Sequence, residues 1–157
     1  MKALLFLDID GVLNPWAAPA CPPGYTEHRW RTRKAWLSPA HGHALRALAH
    51  HVDLVWASSW AGDANTLAGA ALGLPPLPIV TFAGPHADTG PDWKFPAVGR
   101  FAYGRPLFWF DDDFDLRPGA KDRFLRRRDL PTRLIPVDPA TGLTPAHMDA
   151  VLRYRSG

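Results

Sequence analysis

A doubly wound parallel α/β fold is what this 157-residue chain predicts, and three observations carry the prediction. Short unbroken apolar runs alternate with helical segments along the whole length. The runs are not amphipathic, which is how strands read when helices cover both faces of a sheet. Three of them also finish in polar residues: the first in Asp8 and Asp10, the second in Ser58, the third in Asp111 and Asp112. In such sheets ligands collect beyond the carboxyl ends of the strands, so these side chains are aimed at a site.

Each element has its own local reason. Leu4-Leu5-Phe6-Leu7 reads as a buried strand that stops at Asp8-Ile9-Asp10-Gly11. The stretch 14–37 follows, rich in proline, and within it Tyr25 to Trp36 suits a small hairpin flap. If 28–34 is extended, Arg29, Arg31 and Arg33 share one face, because side chains alternate with period two. Ser38-Pro39 marks a helix start, a serine cap before proline, and that helix runs to about His51 with Leu45 and Leu48 buried. Residues 52–57 form the next strand. Asp63 to Leu72 is helical and closed by Gly73, and 78–82 is a short strand. Phe95 to Tyr103 is a helix, 107–110 a strand, Gly119 to Arg128 a basic helix. Residues 134–137 make an edge strand, given Pro136, and Thr144-Pro145 opens a last helix.

Bulk composition excludes several classes. With 46% hydrophobic and 21% charged residues the chain buries a core, which argues against disorder and for one domain over 1–157. Cys21 is alone, so no internal disulfide forms and a reducing, cytoplasmic location is expected. The apolar run at 3–7 is too short for a membrane span and is cut by Asp8 too early for a signal peptide. No membrane partner and no obligate protein partner is expected. The net charge of +3 is mild, but Arg117, Lys121, Arg123, Arg126, Arg127, Arg128 and Arg133 cluster, and Arg29, Arg31, Arg33 and Lys34 form a second group. A solvated face explains each, and attraction to a phosphate-rich partner is the alternative.

The polar residues at the strand ends match one chemistry. Phosphoryl transfer needs a nucleophile, an acid–base group, cations for the phosphate oxygens and donors to hold the group. Asp8 is placed to attack phosphorus and Asp10 to protonate the leaving oxygen and then activate water. Asp111 and Asp112 supply oxygen ligands for Mg²⁺. Two carboxylates about 4 Å apart repel by roughly 4 kcal/mol at an effective dielectric of 20, so converging acids call for a divalent cation. The Ser58 hydroxyl and the amide of Ser59 are the donors to phosphate. Lys94, the only lysine between Lys34 and Lys121, completes the charge balance.

In this order the motifs resemble the haloacid dehalogenase (HAD) superfamily: Asp8-Ile9-Asp10-Gly11-Val12, then Leu54-Val55-Trp56-Ala57-Ser58, Lys94, and Phe108-Trp109-Phe110-Asp111-Asp112. The short chain and the Trp-Ala-Ser-Ser-Trp and Trp-Phe-Asp-Asp-Asp strand ends look like the small HAD domains also found in RNA-repair proteins. The resemblance implies a Rossmann-like sheet of order 5-4-1-2-3, with a flap at about 14–37 and no large cap domain. It also implies a Mg²⁺-dependent phosphatase working through an aspartyl-phosphate, with Asp8 giving a carboxylate and Asp10 its backbone carbonyl to the metal.

Asp111 is the favoured further ligand, with Asp112 beside it and Asp115 a third candidate, and Asp113 is read as a solvated loop acid. Gly11, Ser58, Ser59, Lys94, Trp16 and Trp60 make the expected substrate-binding set, for a phosphorylated small molecule or a nucleic acid end. His86 precedes Lys94 in a Gly/Pro-rich loop and is read as a surface residue. Two other readings stay open: a receiver-like phosphate-binding module, and a nucleic-acid-binding protein with a vestigial site.

Overall fold

The computed structural model describes residues 1–82 and 94–154. Strand β1 (Leu4–Leu7) lies inside a parallel sheet with β4 (Asp53–Trp56) on one side and β5 (Leu107–Asp111) on the other. Outside β5 lies β6 (Thr132–Pro136), giving the order β4-β1-β5-β6. Leu4 is level with Asp53 and Leu107, so Leu7 is level with Trp56 and Phe110 and the polar ends line up along one edge.

The apolar runs are explained by the two covered faces. Along β1, Leu5 and Leu7 join Trp56, Phe108 and Phe110 in one core with Leu45 and Leu48 of α1 (Pro39–Leu48) and Met148 and Val151 of α4 (Pro145–Tyr154). Leu4 and Phe6 point the other way, into a core with Trp109, with Val98 of α2 (Phe95–Phe101) and with Ala120 and Phe124 of α3 (Pro118–Arg126). Period-two alternation therefore buries both sets.

Four expectations change in detail. The strand expected at 78–82 shrinks to one parallel bridge, Ile79 to Trp56, held by Trp56 N to Pro78 O (2.9 Å) and Val80 N to Trp56 O (2.8 Å). It sits beside β4, where the third strand of a 5-4-1-2-3 sheet belongs, but two prolines and a leucine before it leave little regular backbone. The helical stretch after Asp63 is a π-helix over Ala64–Gly69. Asn65 explains what it serves: its Oδ1 accepts from Trp56 Nε1 (2.8 Å) and Leu77 N (2.9 Å), fixing the returning chain against β4. Ser38 starts α1 without a side-chain cap bond, leaving Pro39 as the start signal.

The flap is a real hairpin, β2 (Thr26–Arg29) against β3 (Lys34–Leu37). Its strands stop short of the arginine face, however. Residues 30–33 turn, with Trp30 N donating to Arg33 O at 2.8 Å, so Arg29, Arg31 and Arg33 are not a single stripe. Arg29 instead pairs with Glu27, and Arg33 with Asp63. No helix among the described residues is long and apolar enough to cross a membrane.

Candidate active site

Three strand ends meet at Lys94. This residue immediately precedes α2 and is 4% exposed. Its ammonium donates to Asp8 Oδ2 (2.9 Å) at the end of β1, to Asp111 Oδ2 (2.9 Å) at the end of β5, and to the Ala57 carbonyl (3.0 Å) after β4. The remaining carboxylate oxygens take backbone donors. Ile9 N reaches Asp8 Oδ1 at 2.7 Å, while Asp112 N (2.9 Å) and Asp113 N (3.3 Å) reach Asp111 Oδ1. Buried carboxylates are tolerated because each oxygen has a partner.

Asp8, Asp111 and Asp112 each place a carboxylate oxygen within 4.8 Å of the others. Gly11 makes room for the third acid. Its φ is +84°, and a Cβ there would lie 2.1 Å from Asp112 Oδ2. Glycine is thus required twice, for the left-handed backbone and for the close approach of the carboxylate. Its own N–H donates to the Asn14 carbonyl at 2.8 Å.

The charges are unbalanced, and the proton affinities show it. Burial pushes Asp8 well above the ordinary carboxylate range, against the pull of Lys94. Asp111 feels the same burial penalty, but Lys94 and the bonds from Asp113 outweigh it and hold its carboxyl low. Burial and the neighbouring Asp111 push Asp112 up to about 6. Lys94 is driven up, because its two carboxylate partners outweigh its desolvation. Three converging acids face one lysine, and an all-oxygen donor set of this kind suits a hard divalent cation.

Asp10 has a different setting. It is exposed, and its carboxylate is gripped by two neutral donors: Asn14 Nδ2 to Oδ1 at 2.9 Å and Trp60 Nε1 to Oδ2 at 3.0 Å. Both donors lead to the flap. Asn14 Oδ1 accepts from Trp36 N (3.0 Å) on β3. Trp60, 3% exposed, lies edge-on to Trp30 and beneath the Arg33 guanidinium, 4.6 Å from the ring centroid.

Among the other expected residues, Ser58 is buried and its Oγ accepts from Trp60 N (3.1 Å), while Ser59 is exposed. Trp16 is exposed beside the first turn, its N–H on the Asn14 carbonyl. Asp115 is exposed and paired with Lys121, outside the acid cluster. Asp113, read from sequence as solvated, is half-buried, and burial together with its bond to Asp111 pushes it up to about 7. His86 lies outside the described residues.

Sequence reasoning missed Asn14. Its signal was an amide closing the turn after Asp8-Ile9-Asp10-Gly11, at a spacing that lets it fold back on Asp10. It also missed that Trp60 donates to Asp10, since contact across 50 residues leaves no local trace.

Comparison with known proteins agrees with this geometry. The HAD domain of effector protein Lem4 from Legionella pneumophila superposes with a TM-score of 0.62 at 15% identity, covering 97% of this chain and 94% of that one. At that identity the likeness is one of fold. No curated protein matches the sequence. The family model for the HAD domain in Swiss Army Knife RNA repair proteins matches residues 4–148. The strand-end acids, the lysine that joins them and this match over nearly the whole chain lead to one conclusion: the protein belongs to the family of HAD domains found in Swiss Army Knife RNA repair proteins.

Proposed function

We propose that the protein is a Mg²⁺-dependent phosphomonoesterase with Asp8 as nucleophile and Asp10 as acid–base group. The observation that carries this is the division of labour between two acids only two residues apart. Asp8 is buried with Asp111, Asp112 and Lys94, whereas Asp10 stands outside that cluster, its carboxylate oriented by Asn14 and Trp60.

Asp8, Asp111 and Asp112, with the Asp10 carbonyl, would hold the metal, which when bound supplies positive charge against the phosphate oxygens and the clustered carboxylates. Lys94 pulls the Asp8 carboxyl toward its ionised form, opposing the burial that raises it, and neutralises part of the charge on the transferring group. The Asp8 carboxylate attacks phosphorus and the bond to the ester oxygen breaks, leaving an aspartyl-phosphate. Asp10, protonated at this stage, gives its proton to the departing oxygen. The resulting Asp10 carboxylate then takes a proton from water as that water attacks phosphorus, which frees Asp8 and releases inorganic phosphate. The Ser58 hydroxyl accepts from Trp60 N, so its own proton is available to a phosphate oxygen.

A receiver-like module would need only the acid cluster and lysine. An oriented Asp10 favours turnover instead. For substrate class we favour the phosphate at a nucleic acid end, supported by the family's description and by a flap that is only a short hairpin. The test is hydrolysis of p-nitrophenyl phosphate, nucleotides and 5′- or 3′-phosphorylated oligonucleotides with and without Mg²⁺. Wild-type turnover that vanishes in Asp8→Asn and Asp10→Asn is the expected result. A phospho-aspartate that forms and persists for hours in the wild type, with no release of phosphate, would sink the proposal.

A further inference from the structure

The basic helix does more than present charge to solvent. Between α2 and α3 lies a groove of about 490 Å³ that shares no residue with the acid cluster. Its floor is apolar: Phe95, Ala120 and Phe124 are buried there, with the two phenyl rings 5.3 Å apart, and Gly99 faces Phe124 across the helix contact. Its rim is cationic. Arg100 comes from α2, and Arg123 and Arg127 from α3 and its C-terminal end. Asp129 is the acid among the lining residues, beside Arg128.

Arg128 belongs to the wall. It is spent on Ala102 O (3.1 Å), Thr132 Oγ1 (2.8 Å) and Arg105 O. Arg100 and Arg127 are exposed at the rim, and Tyr103, 88% exposed, stands at the same lip.

An apolar floor of two rings tilted 45° to each other, with an aromatic at the lip and guanidinium groups above it, is complementary to a ligand with an apolar ring and a phosphate. The volume falls within the 300–1,000 Å³ usual for small-molecule sites, enough for one nucleotide unit. We propose that this groove binds a nucleotide unit of a single-stranded nucleic acid, the base lying against the floor and Tyr103 and the backbone phosphates meeting Arg100, Arg127 and Arg123. It is a docking site on the α2–α3 face, separate from the strand-end site, and it stands whether or not that site hydrolyses phosphoesters.

The test is fluorescence anisotropy of the full chain with a fluorescein-labelled 12-mer of oligouridine in EDTA, so that hydrolysis plays no part. Wild type binds, and log affinity falls with log salt with a slope between about −1.4 and −2.1, for two to three phosphate contacts on a single strand. Arg100→Ala/Arg127→Ala weakens binding at 50 mM salt at least about tenfold and reduces the slope by about 1.4. Tyr103→Ala, at a site too exposed to affect folding, weakens binding about fivefold or more with the slope unchanged. Arg29→Ala/Arg31→Ala, on the flap, leaves it as in wild type. The inference is overturned by wild type that does not bind, by groove variants that bind as tightly as wild type, or by binding abolished only in the flap variant. Equal affinity for a polyglutamate peptide, insensitive to Tyr103→Ala, also overturns it, since charge alone then explains the rim.

Discussion

The floor and the wall of the site solve the same problem in opposite ways. Both must hold a carboxylate in place. On the floor, Asp8 and Asp111 are buried and held by a full charge, the Lys94 ammonium, with backbone amides taking what remains. On the wall, Asp10 is exposed and held by neutral donors, an amide and an indole. The floor is built from strand ends, and the wall's two donors are braced by the flap, Asn14 by Trp36 and Trp60 by Trp30. Charge compensation suits groups that must stay ionised while buried. Neutral donors suit a group that must be aimed at a leaving oxygen, because they orient it without placing a countercharge beside it.

The largest effect that tests this contrast is the removal of Lys94. Lys94→Met leaves Asp8 and Asp111 facing each other in a dry site without their cation. Breaking a buried pair by deleting one partner typically costs about 3–5 kcal/mol. Urea unfolding of the metal-free protein should therefore show a loss in this range, with activity lost as well. Added Mg²⁺ should restore part of the stability, since a cation in the cluster replaces some of the missing charge. A variant as stable as wild type without metal would mean that the floor is not held by charge.

A smaller and more selective effect is expected on the wall. Trp60→Phe keeps an aromatic ring against Trp30 but deletes the donor to Asp10 Oδ2. The stability cost should be about 1–2 kcal/mol, for one hydrogen bond and a somewhat smaller ring. The informative readout is the leaving group. If Trp60 orients Asp10 for proton donation, alkyl phosphates, whose leaving oxygen needs the proton, should lose about 10–100-fold in kcat. p-Nitrophenyl phosphate, which departs without much help, should lose far less in the step that forms the phosphoenzyme. An equal loss for both substrates would reduce Trp60 to a packing residue.

This contrast also explains what the sequence could reveal. The floor was legible because each of its parts is punctuated locally: an apolar run that ends in acids, a second that ends in serine, a single lysine before a helix. Strand register then does the rest, since four parallel strands in step must deliver their ends to one edge. The wall was not legible, because its contacts join distant segments. Asn14 meets Trp36, and Trp60 meets Asp10 and Trp30, by tertiary packing of a hairpin whose turn the sequence placed in extended form. Asp113 was misread for a related reason: a third consecutive acid looks like loop composition until its N–H is found on Asp111. The reduced strand at Ile79 shows the same limit, as a run of suitable apolar residues carries no measure of how far its neighbour extends.

The smallest effect concerns how the flap's base is fastened, and it depends on pH. His41 on α1 is half-buried, with its ring edge-on to Tyr25 at the foot of the flap and its Nε2 2.9 Å from the Leu143 carbonyl. That contact makes Nε2 the donor in the neutral ring. Nδ1 is buried without a partner, so a proton added there would be an unsatisfied buried donor. Burial accordingly lowers the His41 pKa from its ordinary 6.5, the Leu143 carbonyl opposing and the nearby His147 assisting. His147 is itself lowered by burial. With the folded value below the unfolded one, the unfolded chain binds more protons in this window, so stability rises with pH up to about 6.5 and is lost as pH falls below it. Two acids that follow Asp111 work the other way. Asp112 and Asp113, raised to about 6 and about 7, make the metal-free protein less stable as pH rises through those values. The wild-type curve is therefore a sum of opposing slopes, and the difference between two proteins isolates one. His41→Gln keeps a donor for Leu143 and cannot titrate. Relative to wild type, its Tm should improve by roughly 2–4 °C between pH 7.5 and 5, the shift expected from a change of about 1 kcal/mol or less. Parallel Tm curves over that range would show that the base of the flap is indifferent to His41 protonation.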